Sequence, residues 1–229
     1  MRASVDPVEN LRTKVRGAVA EYDEAVAYHE TWRIASNDAA LHKRVGHSFA
    51  GNTFLVVRKA LRRELLLSLA RLWDTQTGTV KMHSIADDLE NPVVLNALWP
   101  DTSIYEEPRR MAAEAASVIR EYEKGGSNYA ALGGVRTLRN QHLAHRQTSR
   151  VGTIHEDKLQ EEVERLYQVS ARLISLLEHV VERTAYNPTE TAGIYKFYAE
   201  FFWEAVRGER AEGHPRYRPI PQPLQGAAP

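Results

Sequence analysis

Cysteine is absent from the 229 residues of this chain, which excludes a disulfide framework and any thiolate-held zinc. No apolar run approaches the ~20 residues needed to span a membrane. The opening Met1-Arg2-Ala3-Ser4-Val5-Asp6 lacks the apolar centre of a signal peptide. The expectation is a cytoplasmic protein without a membrane partner. Net charge is missing as well, since 30 acidic residues balance 30 basic ones. A protein that coats nucleic acid without specificity is usually basic throughout, so that class is disfavoured. A local anion site is not. Strand-like alternation and internal repeats are also lacking. Hydrophobic residues make up 43% of the chain, enough to bury a substantial core.

One further absence is local. No Asp or Glu occurs between Glu123 and Glu156, and inside that window lies Arg136-Thr137-Leu138-Arg139-Asn140-Gln141-His142-Leu143-Ala144-His145-Arg146. Arginine is always charged and offers a planar fork of donors that fits a phosphate. Histidine titrates near neutrality and can give or take a proton at cellular pH. Together these are the minimum for cleaving RNA without a metal. One group stabilises charge developing on the phosphate, and the other moves a proton to or from the 2′-hydroxyl or the leaving oxygen.

Arg139-Asn140 followed by His145 resembles the signature of HEPN domains, in which an Arg and a polar neighbour precede a His by a few residues. A second block, Glu64-Leu65-Leu66-Leu67-Ser68-Leu69-Ala70-Arg71-Leu72-Trp73-Asp74 and then Ser84-Ile85, looks like the abortive-infection (AbiU-like) branch of that family. The resemblance spans roughly residues 10–205. It implies an all-α, HEPN-like antiparallel helical bundle with extra helices, working as a homodimer. It also implies a metal-independent endoribonuclease of a toxin–antitoxin or phage-defence system, acting on RNA without any cofactor and held in check by a cognate antitoxin protein. In such a site Arg139 holds the scissile phosphate, His145 is general acid or base, and Asn140 orients either one. Arg136, His142, Arg146 and Arg150 contact RNA. Read from the residues alone, Arg139 could instead pair with Asp74, at the end of the second block, as structural support beside its chemistry or as its sole role. The alternative is a catalytically inactive helical dimer that binds RNA, nucleotide or a partner protein. Many HEPN toxins that pair with nucleotidyltransferases carry Tyr two residues after the His. Here that position is Gln147, so modification at such a tyrosine has no support.

Helical periodicity organises the rest. Val8, Leu11, Val15, Val19, Tyr22 and Val26 recur at helical steps within residues 7–37, with Asp6 as cap and Pro7 at the first position. A break is expected at Asn37-Asp38. Residues 41–74 predict a helix, or a pair interrupted at Gly51-Asn52, whose apolar surround from Phe54 to Trp73 suggests the centre of the core. Its basic flank of Arg58, Lys59, Arg62 and Arg63 reads as a solvated face or as a second phosphate-contacting strip. Ser84 to Asp87 has the spacing of a capping box, and Asn91-Pro92 and Trp99-Pro100 delimit two short helices. Helices over 103–123, 128–147, 156–184 and from Pro188 to about Arg207 follow, with Gly125 capping the first of these. Gly133-Gly134 implies either close helix approach or a motif helix that starts later. Tyr195, Phe197, Tyr198, Phe201, Phe202 and Trp203 predict core or dimer packing. Residues 1–207 form one domain, and the proline-rich residues 208–229 form an extended or disordered tail.

Geometry sets a condition on the chemistry. On a regular helix His145 lies about 120° around from Arg139. A single straight helix therefore does not place both on one phosphate. Either the helix ends or distorts near His145, or two copies share the site. Beside the pairing of Arg139 with Asp74, two further plain readings stand. His145-Arg146 suits an ordinary helix C-terminus, and His142 suits a packed or dimer-contacting role. Zinc held by His142 and His145 with His42, His47 or His83 is disfavoured by the lack of nearby acids.

Overall fold

Asp6 and Pro7 start the first helix as their chemistry requires, with Asp6 Oδ1 accepting the Val8 amide at 3.0 Å. The computed structural model describes residues 6–46, 50–73, 82–100, 106–133, 135 and 156–206, with side chains in the last stretch from residue 160 onward. Helix α1 runs Pro7–Asn37 and α2 Ala39–Gly46. Asp38 breaks them by accepting the Ala40 and Leu41 amides. Then come α3 Gly51–Leu72, α4 Met82–Glu90, α5 Pro92–Leu98 and α6 Glu106–Glu121. Residues 131–133 and 135 are helical. Helix α7 spans Glu156–Leu177 and continues as a π-turn over Glu178–Glu182, and α8 spans Pro188–Ala205. Asn91 and Asn187 cap α5 and α8 with their side-chain oxygens. The described residues are all-α and contain no strand, and no described helix is long and apolar enough to cross a membrane.

Helix α1 is the axis of the bundle. Its stripe of Leu11, Val15, Ala18, Tyr22, Ala25 and Val26 is fully buried, and it packs most extensively on α3 and α8. The main core gathers α1, the C-terminal half of α3, α4, α6 and α7. A separate, smaller core joins Ala35, Leu41, Val45 and Phe54 to Ala199 and Trp203 of α8. Trp203 Nε1 donates to the Thr31 carbonyl at 2.9 Å and Arg44 donates to the Trp203 carbonyl at 2.9 Å, which ties α8 across that end.

Several expectations are corrected. Helix α4 begins at Met82, so Ser84 lies inside its first turn and is not its cap. Met82 continues the buried stripe of Ile85, Ala86 and Leu89 one turn backward. Helix α3 is central only from Leu65 onward, because Leu55 and Val56 are exposed. Of the two readings of residues 41–74, the pair holds, with α2 ending at Gly46 and the second helix, α3, opening at Gly51 itself. The helix before the arginine–histidine motif starts at residue 131, later than residue 128, and a Cβ on Gly133 would meet open space. Of the two explanations for its glycines, the later start holds for Gly133.

Gly125 adopts φ 98°, but it lies four residues beyond the end of α6 at Glu121, so it serves the following turn and is not the helix cap expected. Its neighbour Gly126 is constrained by space, since an added methyl would overlap the carbonyl oxygens of Arg120 and Glu121. Gly126→Ala is expected to destabilise the fold by about 1–3 kcal/mol, the usual range for overpacking. The measurement is the urea unfolding midpoint, and an unchanged midpoint would show that the turn relaxes freely.

Candidate functional site

Asp74, Arg136, Arg139, Asn140, His142, His145, Arg146, Arg150 and Gln147 all lie outside the described residues. The chain that leads into them is held firmly. Trp73, next to Asp74, is buried, and its indole N–H donates to Ser170 Oγ on α7 at 2.9 Å. Ser170 Oγ in turn donates to the Leu166 carbonyl, so both partners of the buried hydroxyl are satisfied. The Trp73 ring sits 4.7 Å from that of Tyr122. Leu132 and Val135, the last apolar residues before Arg136, are also buried in the main core.

Trp73 and Leu132 line one cleft of about 360 Å³ with Tyr122, Tyr129, His83 and Lys124. The approaches to both matched sequence blocks thus share a floor of aromatic rings. Arg120 lines the same cleft but is fully engaged. Its guanidinium reaches Glu90 at 2.6 Å, Asp87 at 2.7 Å and Glu123 at 2.7 Å. The hydrogen bonds it donates to Glu90 and Asp87 hold its pKa above the usual arginine range. Arg120 braces α4 against α6 and is not an open anion site.

A second cluster was not anticipated from the sequence. His29 and Glu30, in the C-terminal third of α1, are 3% and 5% exposed. His29 Nδ1 is 2.9 Å from Glu30 Oε1, and its Nε2 is 2.9 Å from Glu164 Oε2 on α7. Arg33 donates to the second Glu30 oxygen at 2.8 Å, and Gln168 donates to the second Glu164 oxygen at 2.9 Å. Tyr167 stacks on the imidazole with ring centroids 4.0 Å apart. A neutral imidazole has one donor and one acceptor. Facing a carboxylate on each side, His29 satisfies both only as imidazolium.

The electrostatics agree. Burial works against charge on His29, but hydrogen bonds with Glu164 and Glu30 outweigh it and raise the pKa. The His29 hydrogen bond lowers the Glu164 carboxyl to about 2, against the opposing effect of burial. Burial opposes ionisation of Glu30 too, yet His29 and Arg33 hold it below the usual carboxylate range. The cluster opens on a cleft of about 370 Å³ bordered by Trp32, Arg62 and Gln160. Each member of the triad of His29, Glu30 and Glu164 already has its partners within the protein. The arrangement fastens α1 to α7.

The basic flank of α3 divides among different roles. Arg63 pairs with Glu64 at 2.9 Å, Arg58 lies over the Phe54 ring at 5.9 Å, and Arg62 borders the His29 cleft. His42 bonds the Ala35 carbonyl at 2.7 Å through Nε2 and meets Phe54 edge-on, whereas His83 lines the Trp73 cleft. His42 and His83 thus serve different clefts.

Comparison with known proteins gives one finding. A family model described as AbiU2, of the HEPN class, matches residues 10–202, a span that contains both sequence blocks. No curated protein and no solved structure matches the chain significantly.

Proposed function

The chain belongs to the AbiU2 family of HEPN proteins, and from that membership we propose that it is a metal-independent endoribonuclease serving abortive infection or a toxin–antitoxin pair. In this reading Arg139 binds the scissile phosphate and stabilises the charge that builds on it. His145 takes the proton from the ribose 2′-hydroxyl or delivers one to the departing 5′-oxygen. The 2′-oxygen attacks phosphorus, the bond to the 5′-oxygen breaks, and the products are a 2′,3′-cyclic phosphate and a 5′-hydroxyl. Asn140 orients either group. Arg136, His142, Arg146 and Arg150 contact the strand, largely through its phosphates, so binding weakens as salt rises.

Two copies supply two imidazoles, one as base and one as acid, and they relieve the angular mismatch between Arg139 and His145 on a straight helix. The observation that carries the reading is that the family match spans both blocks, with Arg139-Asn140 and His145 inside it. Support also comes from the shared aromatic cleft at the approaches to those blocks.

The test is incubation of the purified chain with RNA in the presence of a chelator. Cleavage is expected to continue and to leave cyclic-phosphate and 5′-hydroxyl ends, and induced expression is expected to arrest growth. RNA that is bound but never cut would favour the inactive dimeric binder. Cleavage that stops with the chelator would overturn the mechanism.

A further inference from the structure

Helix α8 is apolar on two opposite sides. One side buries Ala199 and Trp203 against the smaller core. On the other, Ile194, Phe197, Tyr198, Phe201 and Phe202 are exposed by 52%, 54%, 66%, 65% and 54%. These positions fall at i, i+3, i+4, i+7 and i+8, so they form one continuous stripe along more than two turns. No charged residue interrupts it. The rings of Phe197, Tyr198 and Phe201 pack on one another within the stripe, with centroid separations of 5.7 Å and 4.8 Å.

We propose that this face of α8 is the seam of a homodimer, packed against the same face of a second copy of the chain. Area, charge and symmetry single out a second copy as the occupant. An aromatic side chain carries about 150–250 Å², so five large residues at these exposures offer roughly 500 Å². One such stripe is of the size that a monomer's largest apolar patch usually has, and such patches often serve binding. Two of them cover about 1,000 Å², the lower bound for a specific interface. Leu55 and Val56 on α3 are exposed as well, and their neighbour Phe54 meets Trp203 at 5.5 Å, so α3 extends the same end of the molecule. The chain has no net charge, so no long-range repulsion keeps two copies apart. A two-fold axis turns the stripe into its own complement without any further surface. The inference deepens the dimeric site proposed above by naming what joins the copies. It rests on that reading only for the pairing of the two Arg139–His145 sets.

The experiment measures molar mass by light scattering at micromolar concentration, without RNA. The wild-type chain is expected at twice the chain mass, and Phe197→Glu with Phe201→Glu at half that value with unchanged helical circular dichroism. Because two glutamates could disturb α8, a second measurement uses the cysteine-free background. Phe201→Cys is expected to form a covalent dimer with a short bis-maleimide, whereas Glu107→Cys on the exposed start of α6 is not. A monomeric wild type, or a dimer that survives both glutamates with its fold intact, would overturn the proposal. A dimer that fails to cut RNA would leave the seam standing and sink the enzyme reading alone.

Discussion

Alanine in place of His145 is expected to lower the rate of the proposed RNA cleavage by about 10²- to 10⁴-fold, the usual contribution of a positioned general acid or base. Arg139→Ala is expected to lower it by about 10²- to 10³-fold, the effect of losing a preorganised donor aimed at developing charge. Arg139→Lys keeps the charge but loses the planar fork, so it recovers only part of the rate. Two groups acting on one transition state are not additive, and the double variant is expected to be little worse than His145→Ala alone. Single-turnover cleavage of a defined RNA, with melting curves recorded alongside, separates chemistry from folding. Undiminished cleavage by a folded His145→Ala protein would remove that residue from the mechanism.

The other large effect is on stability. His29→Ala leaves Glu30 buried without its principal partner and frees Glu164 from α1. Breaking a buried ion pair from one side costs about 3–5 kcal/mol. For a chain of this size each kcal/mol shifts Tm by about 2–4 °C, so a fall of around 10 °C is expected.

The pH dependence has a definite sign. The folded pKa of His29 is raised, so its stabilisation is complete below the unfolded value near 6.5 and fades as pH climbs through the raised folded value. Glu164 is depressed to about 2, so its share is complete above the unfolded value and is lost as pH falls toward 2. Wild type minus His29→Ala, measured by urea unfolding at several pH values, should therefore be largest in mildly acidic solution and shrink in alkali. A difference that grows above pH 8 would mean that His29 is not held as a cation.

The caps and stripes of the bundle were legible because each depends on neighbours in sequence. Asp6 needs only the Val8 amide, and Asn187 only those of Thr189 and Glu190. His29 and Glu30 left a faint trace, two polar residues where the stripe of Leu11, Val15, Tyr22 and Val26 calls for apolar ones. What satisfies them was invisible, since Glu164 lies 135 residues away. The aromatics of α8 were legible only in part, for a different reason. Composition registers that they are apolar, but only the packed helix shows that Trp203 turns inward while Phe197 and Phe201 turn out. The arginine–histidine pattern was legible by residue type and spacing, and the family match covers it. Its angular problem was legible too, because 100° per residue is a property of any α-helix.

The division of the interior into one large and one small apolar cluster has a consequence for cooperativity. The end built from α2, the first turns of α3 and the last turns of α8 contributes few buried side chains, so its opening free energy is set locally and lies below that of the whole chain. Amide hydrogens of Leu41 and Val45 should therefore exchange through partial opening, while those of Leu69 and Leu173 wait for global unfolding. Anything clasped against the outer side of α8 would slow exchange at that end first.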